Sequence, residues 1–228
     1  MNYFILKIIA LITMTIDHIG IVLLNNNIYC RLIGRLSFPL YCLLIVNGFY
    51  HTSNSKKYLL RLFIFALISE FPFDLAFNTN FLDSQNIFFT LTFGLLLITL
   101  IDTIYKKNIN VLLKFLYISV LVFIISFINE IMQNDYGWFG IILIFIFYIC
   151  YGNKNINKIY LMLGFTVANI LYFIVNKNAF ELMSILDVVF IILFKNKTTK
   201  INKTIKTICY FYYPVHLLIL FFIKYLFF

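Results

Sequence analysis

The chain is 228 residues long, 63% hydrophobic and only 12% charged, with a mean hydropathy of +0.96. Soluble domains are about 45–50% apolar and about 25% charged, so this chain has too little polar surface for a water-soluble globule, and we expect lipid to be its solvent. The net charge of +9 comes with lysines in the polar connections, where lysines orient helices and meet anionic lipid. Nothing in the pattern indicates nucleic-acid binding.

The apolar stretches leave only short polar gaps, so the sequence predicts a single integral-membrane domain over 1–228. The four cysteines are scattered, without C-x-x-C or metal-ligand spacing, so we expect neither a disulfide framework nor a metal site. The first apolar run lacks a small-residue cleavage site and contains Asp17 and His18. We therefore expect a retained first span rather than a signal peptide.

Runs of about 20 apolar residues predict an all-α, polytopic bundle of transmembrane helices. The pattern favours about nine spans, and eight to ten stay open because the sixth and eighth are short. The expected spans are 4–24, 29–49, 58–78, 86–105, 111–131, 137–151, 157–175, 180–194 and 208–228.

Lysines fall in alternate loops. Because lysine-rich loops stay in the cytoplasm, nine spans place the N-terminus inside and the C-terminus outside a bacterial cytoplasmic membrane. The loops of the other set are nearly free of lysine. The lysine-rich set is 56–57, 106–107, 154–158 and 195–206, and the lysine-poor set is 25–27, 79–85, 133–135 and 176–178.

Charged and ionisable side chains inside a span are costly and usually mark a pathway or a site. With a rise of about 1.5 Å per residue, five of them fall within roughly 10 Å of one another in depth. Depth is not contact, but it permits one buried constellation. Its members are Asp17, His18, Arg35, Glu70 and His216.

Two pairs of charged residues share a helical face, since their members are four residues apart. Arg31 and Arg35 form one pair, and Glu70 and Asp74 form the other, with Pro72 between them. Two arginines at the depth of three acids allow charge compensation. Arg35 with Glu70 or Asp74 is therefore open to a second interpretation, a purely architectural ion pair.

The histidines differ in what their positions indicate. A carboxylate beside His18 can fix its tautomer and raise its basicity, but neighbours on a helix point about 100° apart, so Asp17 need not touch it. His216 follows Pro214 near the middle of the last span. His51 lies at the cytoplasmic edge, where a solvated histidine is the simpler interpretation.

The remaining acids are less informative. Asp135 begins an Asp-Tyr-Gly sequence that is read first as an outer turn and second as part of the site lining. Asp187 lies inside the eighth predicted span and has no assigned role. Asp102 and Glu130 fall near span ends and are most simply solvated.

Seven segments in order along the chain together resemble the TraX family. The resemblance covers the whole chain and is less close across 176–206. The segments are 6–20, ending Ile-Asp-His-Ile-Gly; 33–39, Ile-Gly-Arg-Leu-Ser-Phe-Pro; 48–52, Gly-Phe-Tyr-His-Thr; 58–61, Tyr-Leu-Leu-Arg; 71–74, Phe-Pro-Phe-Asp; 135–137, Asp-Tyr-Gly; and 211–217, Phe-Tyr-Tyr-Pro-Val-His-Leu.

The resemblance implies an acetyltransferase. The family is named for a conjugation protein that acetylates the N-terminus of pilin, and it is similar to transmembrane acyltransferases that modify surface sugars. In that group an arginine precedes a histidine with ten residues between them; Lys7 and His18 occupy this spacing here. Lysine holds a phosphate as a point charge, without the bidentate fork of arginine.

The implied donor is cytoplasmic acetyl-CoA, with no metal, and the implied acceptor is a peptide amine or a sugar hydroxyl at the outer face. His18 would be the general base, with Asp17 or another acid stabilising its imidazolium. Arg35 would stabilise the oxyanion or hold Glu70 in position. The residues expected to bind substrate or CoA are Lys7, Arg31, His51, Arg61, Asp74 and His216.

Two other classes of function stay open at this point. Midplane carboxylates, a histidine and arginines also suit a proton-coupled transporter of an anionic solute; the sequence lacks a convincing internal repeat, which argues mildly against one. A scaffold whose buried charges only fix helix pairing is the third.

Overall fold

The computed structural model describes residues 3–80, 83–151, 157–177, 179–193 and 203–227. Within these ranges the chain is helical, as the composition predicts. The helices are α1 (Tyr3–Val22), α2 (Ile28–Gly34), α3 (Ser37–His51), α4 (Ser55–Phe77), α5 (Ile87–Lys106), α6 (Val111–Ile131), α7 (Gly137–Cys150), α8 (Lys158–Asn176), a 3-10 helix (Ala179–Leu186), α9 (Asp187–Leu193) and α10 (Lys203–Phe227).

Six helical stretches in the described part of the chain are long and apolar enough to cross a membrane, which makes this a membrane protein. α4 has 23 residues but is not among them, because Arg61, Glu70 and Asp74 interrupt its apolar length. α7 is apolar and has only 14 residues. The further spans of the predicted nine stay predictions. The six stretches are Tyr3–Val22, Ile28–His51, Ile87–Lys106, Val111–Ile131, Lys158–Asn176 and Thr207–Phe227.

The second predicted span, 29–49, is divided into α2 and α3. Pro39 lies in the first turn of α3. A proline ring clashes with the carbonyl four residues before it, which here belongs to Arg35, and proline has no N–H to donate. The α-helix therefore ends at Gly34 and begins again at Ser37, so Arg35 lies at a junction between two helices.

The eighth predicted span, 180–194, also differs from a single helix. It consists of the 3-10 helix followed by the seven residues of α9, and residue 194 lies outside the described residues. The 3-10 helix packs against α8 and α2. This packing brings Glu181 to the junction between α2 and α3.

α1 packs with one face against α2, α3 and α10, and its other face is exposed at Ile5, Ile8 and Ile12. Its contact with α2 is close at Gly34, where an added Cβ would lie 2.2 Å from Cγ of Asp17. Two lysine-poor loops meet nearby. The Gln85 N–H donates to the Gln133 carbonyl at 3.1 Å, and the Asp135 N–H donates to the Gln85 carbonyl at 3.0 Å. These bonds hold the two loops together at one end of the bundle.

Candidate functional site

A pair of buried histidines joins the first and last helices. His18 Nδ1 of α1 lies 2.7 Å from His216 Nε2 of α10, and the two ring planes are within 8° of parallel. Phe77 and Tyr213 meet the His18 ring edge to face, at centroid distances of 5.4 and 6.0 Å. The common depth predicted for His18 and His216 is thus an actual contact.

The hydrogen bonds of His216 fix the protons of both rings. His216 Nδ1 lies 2.8 Å from the Tyr212 carbonyl oxygen, and a carbonyl only accepts. Neutral His216 therefore carries its proton on Nδ1 and accepts at Nε2 from the Nδ1–H of His18. Neutral His18 is left with its lone pair on Nε2, the form that accepts a proton from a substrate.

Tyr212 is itself held by α1. The Tyr212 hydroxyl lies 2.7 Å from Oγ1 of Thr15. The Thr15 hydroxyl already donates its hydrogen to the Leu11 carbonyl, at 2.8 Å. Tyr212 therefore donates to Thr15. Two hydrogen bonds between α1 and α10 thus set the position of His18.

Asp17 pairs with Arg31 and not with His18. Arg31 Nη1 donates to both carboxylate oxygens of Asp17 at 3.0 Å. Of the possibilities left open for Asp17, the structure supports the one in which it does not orient His18; the group that contacts His18 is His216. The physical reason is the angle of about 100° between neighbouring side chains on a helix, which turns Asp17 toward α2.

Arg35 pairs with Glu181, a residue without a predicted role. Arg35 Nη1 donates to Glu181 Oε2 at 3.0 Å, and its guanidinium lies 5.6 Å from the centre of the Tyr136 ring. The alternative interpretation, an architectural ion pair of Arg35 with Glu70 or Asp74, is therefore wrong, because the carboxylate that Arg35 binds is Glu181. Glu181 is only 1% exposed, and its place within the predicted span 180–194 is a signal that could have identified it.

Glu70 and Asp74 have local partners instead. Glu70 Oε2 accepts from the side-chain amide and, at 3.3 Å, from the backbone N–H of Asn86. Asp74 accepts from the Thr79 hydroxyl at 3.0 Å, at the end of α4. Glu70 thus ties α4 to the start of α5 and takes no part in the histidine pair.

A polar cavity of about 430 Å³ opens beside His18. Asp17, Arg31 and Arg35 line one wall, and the joined loops line another. The Asp135 side chain is exposed to this cavity. The neighbouring protein atoms raise the pKa of the Asp135 carboxyl by partial desolvation, against the opposing effect of the Arg35 and Arg31 guanidiniums. The loop residues of the lining are Thr79, Ser84, Gln85, Gln133, Asn134, Asp135 and Tyr136.

A second, smaller cavity of about 70 Å³ lies toward the other end of α1. Lys7 lies over the ring of Tyr210 at 5.6 Å, and Arg61 lies at 5.6 Å from the same ring centre. Tyr213, which contacts His18, also lines this cavity. We call this smaller cavity the tyrosine cavity, after the five tyrosines in its lining: Tyr3, Tyr41, Tyr58, Tyr210 and Tyr213. His18 lines the polar cavity and contacts the tyrosine cavity through the ring of Tyr213.

His51 belongs to neither cavity lining. Its Nδ1 bonds to the Asn47 carbonyl at 2.8 Å, at the opposite end of α3 from the arginines. Its expected place in the substrate site is not supported by this geometry. Among the described residues, no group of three or more His, Cys, Asp or Glu side chains is arranged to hold a metal ion.

The fold and this site define a class: a helical membrane protein with a buried histidine pair, of which one member lines a polar cavity beside two arginine–carboxylate pairs. The family model described as TraX protein matches residues 3–224, and the chain belongs to the TraX family.

A curated relative is the probable fimbrial assembly protein FimC, serogroup H1, of Dichelobacter nodosus. It is 38% identical over 105 residues, covering 40% of this chain and 43% of that protein. The chain thus matches less than half the length of this relative. No solved structure matches the chain.

Proposed function

We propose that the protein is a membrane-embedded acetyltransferase that moves an acetyl group from acetyl-CoA to an amine or hydroxyl acceptor. The observation that carries this proposal is the hydrogen-bond chain from Tyr212 through His216 to His18, which leaves a lone pair on His18 Nε2. His18 also lines the polar cavity. A neutral histidine held in one tautomer beside a cavity is suited to general-base catalysis.

One histidine is enough for the proposed reaction, because His18 takes up one proton and later returns it. His18 Nε2 takes the proton of the acceptor N–H or O–H as the acceptor attacks the thioester carbonyl carbon. The tetrahedral intermediate collapses, the C–S bond breaks, and the His18 imidazolium returns the proton to the leaving thiolate. The products are the acetylated acceptor and CoA. During the cycle His216 keeps accepting from the Nδ1–H of His18, so the charged ring stays in position.

The donor is expected at the tyrosine cavity. Lys7 and Arg61 supply positive charge there, and CoA carries phosphates. From Lys7 to His18 the α1 helix rises about 16 Å, a distance that the flexible arm of CoA has to cover to bring its thioester to Nε2. Tyr213 lies between this cavity and His18.

The finer topology belongs to the same proposal. Nine spans with the N-terminus in the cytoplasm follow from the alternating lysines. In this arrangement Lys7 and Arg61 lie near the inner surface, where acetyl-CoA is available. The lysine-poor loops that border the polar cavity then face outward, so the acceptor enters from outside.

The acceptor is best assigned as a peptide amine. The family association with pili and the name of the Dichelobacter relative, a fimbrial assembly protein, favour a peptide over a sugar. Arg31 and Arg35 are each paired with a carboxylate. Because each carboxylate offsets the positive charge of its guanidinium, both arginines attract a further anion only weakly. This pairing makes transport of an anionic solute the weaker alternative.

Purified protein in lipid nanodiscs tests the assignment. We expect saturable binding of acetyl-CoA and release of labelled acetyl to a peptide with a free N-terminal amine, read by mass spectrometry as one added acetyl group. No acetyl-CoA binding, together with uptake of an anionic solute into proteoliposomes, would establish the transporter instead.

A further inference from the structure

The outer surface of α6 and α7 carries a groove that the proposed reaction does not use. Its volume is about 920 Å³. α6 is the least covered of the six candidate spans, since only 11% of its apolar stretch is buried against the rest of the described protein. The lining consists almost entirely of apolar side chains, among them Val111, Val122 and Trp138, with one lysine, Lys114, and two serines, Ser119 and Ser126.

One end of this α6–α7 groove is basic. Lys114 lines the groove, and its Nζ donates to the Tyr105 carbonyl at 3.0 Å. Lys106 ends α5 and Lys107 follows it in the connection to α6, and the nearby acid, Asp102, pairs with Lys106. Positive charge therefore exceeds negative charge at this end, and the other end, at Trp138, has no lysine in its lining.

The groove is long enough for an acyl chain. Its lining follows α6 from Val111 to Ser126, a rise of about 22 Å, whereas half of a bilayer core of about 30 Å is about 15 Å. The Oγ of Ser126 is buried in the groove and finds no hydrogen-bond partner among the described residues, so it is available to a polar atom of a bound molecule.

We propose that the α6–α7 groove is a binding site for an anionic phospholipid. The phosphate lies at Lys114, with Lys106 and Lys107 nearby, and one acyl chain runs along α6 toward Trp138. Basic pockets between membrane helices bind anionic headgroups, and the apolar wall adds burial of the chain. The site is independent of the histidine pair, since the two share no residue.

Native mass spectrometry of the detergent-purified protein tests the site with phosphatidylglycerol and phosphatidylcholine of identical chains. We expect a preference for phosphatidylglycerol. Lys114→Gln lowers the affinity for phosphatidylglycerol about fivefold, the equivalent of the ~1 kcal/mol that one lysine contributes near an anionic headgroup. Lys114→Arg keeps the preference.

Lys57→Gln is the matched control, because Lys57 is an exposed lysine on α4, outside the groove lining. Val122→Trp fills the groove and lowers the affinity for both lipids. Equal binding of the two lipids by the wild type, or equal losses in Lys114→Gln and Lys57→Gln, would overturn the proposal. So would a dimer that Val122→Trp dissociates without any change in lipid binding.

Discussion

His18 and His216 are 198 positions apart in the chain, yet their ring nitrogens lie 2.7 Å from each other. Because His216 Nδ1 is committed to the Tyr212 carbonyl, this contact determines which nitrogen of His18 carries the proton. The arrangement serves the purpose that a carboxylate serves in other histidine sites, without adding a second buried charge next to the base.

Replacement of His216 tests this relationship. His216→Leu removes the acceptor for the His18 Nδ1–H, so we expect kcat for acetyl transfer to fall about 10²-fold with little change in KM for acetyl-CoA. His216→Gln retains a side-chain oxygen that accepts a hydrogen bond, and we expect it to recover part of kcat. Equal KM increases in both variants, with kcat preserved, would assign His216 to substrate binding instead.

We expect the Arg31–Asp17 ion pair to stabilise the folded protein. Asp17→Asn leaves the guanidinium of Arg31 without its carboxylate, which we expect to lower the free energy of unfolding by about 2 kcal/mol. Thermal unfolding in detergent provides the measurement. The control is Asp102→Asn at the exposed Lys106 pair, where a change within about 0.5 kcal/mol is expected. Equal losses in the two variants would contradict the account.

The pairing of Arg35 with Glu181 predicts coupling between two residues far apart in sequence. Glu181→Gln leaves the largely buried side chain of Arg35, which is 14% exposed, without its counter-charge and should cost about 3 kcal/mol of stability. Arg35→Gln combined with Glu181→Gln should cost less than the sum of the single changes, as a double-mutant cycle reveals. Strict additivity would mean that the two side chains do not interact.

Close packing at Gly34 gives a further prediction. A Cβ there would lie 2.2 Å from Cγ of Asp17, so Gly34→Ala must displace the carboxylate from Arg31. We expect a loss of about 2 kcal/mol. Gly164→Ala is the comparison, since its Cβ would meet only the side chain of Ile146, at 2.9 Å. A smaller loss at Gly34 than at Gly164 would show that the α1–α2 contact adapts.

The sequence predicted depth well and pairing poorly. Depth follows from the constant rise of a helix, which is why His18 and His216 were expected at one level. Pairing depends on how each helix is rotated and which helices are neighbours, and neither follows from span boundaries. Glu70 and Asp74 were therefore considered as partners of Arg35 because of their depth, whereas the actual partner is Glu181 of the neighbouring 3-10 helix.

Of the two helix breaks that the predicted spans missed, one could have been predicted from the sequence and the other could not. Hydropathy predicts a continuous span over 29–49, but Pro39 ends α2 and restarts the chain as α3. That break was readable from proline chemistry. The division of 180–194 into a 3-10 helix and α9 was not, because it depends on packing against α8 and α2.

The most direct test of the central claim is transfer of labelled acetyl from acetyl-CoA by a His18→Asn protein in nanodiscs. Asparagine retains an N–H near the position of His18 Nδ1 and can donate to His216, but it has no basic nitrogen. We predict a rate at least about 10²-fold below wild type, with folding intact by thermal unfolding, while His51→Asn keeps the wild-type rate. A folded His18→Asn protein that transfers acetyl at the wild-type rate would contradict the account.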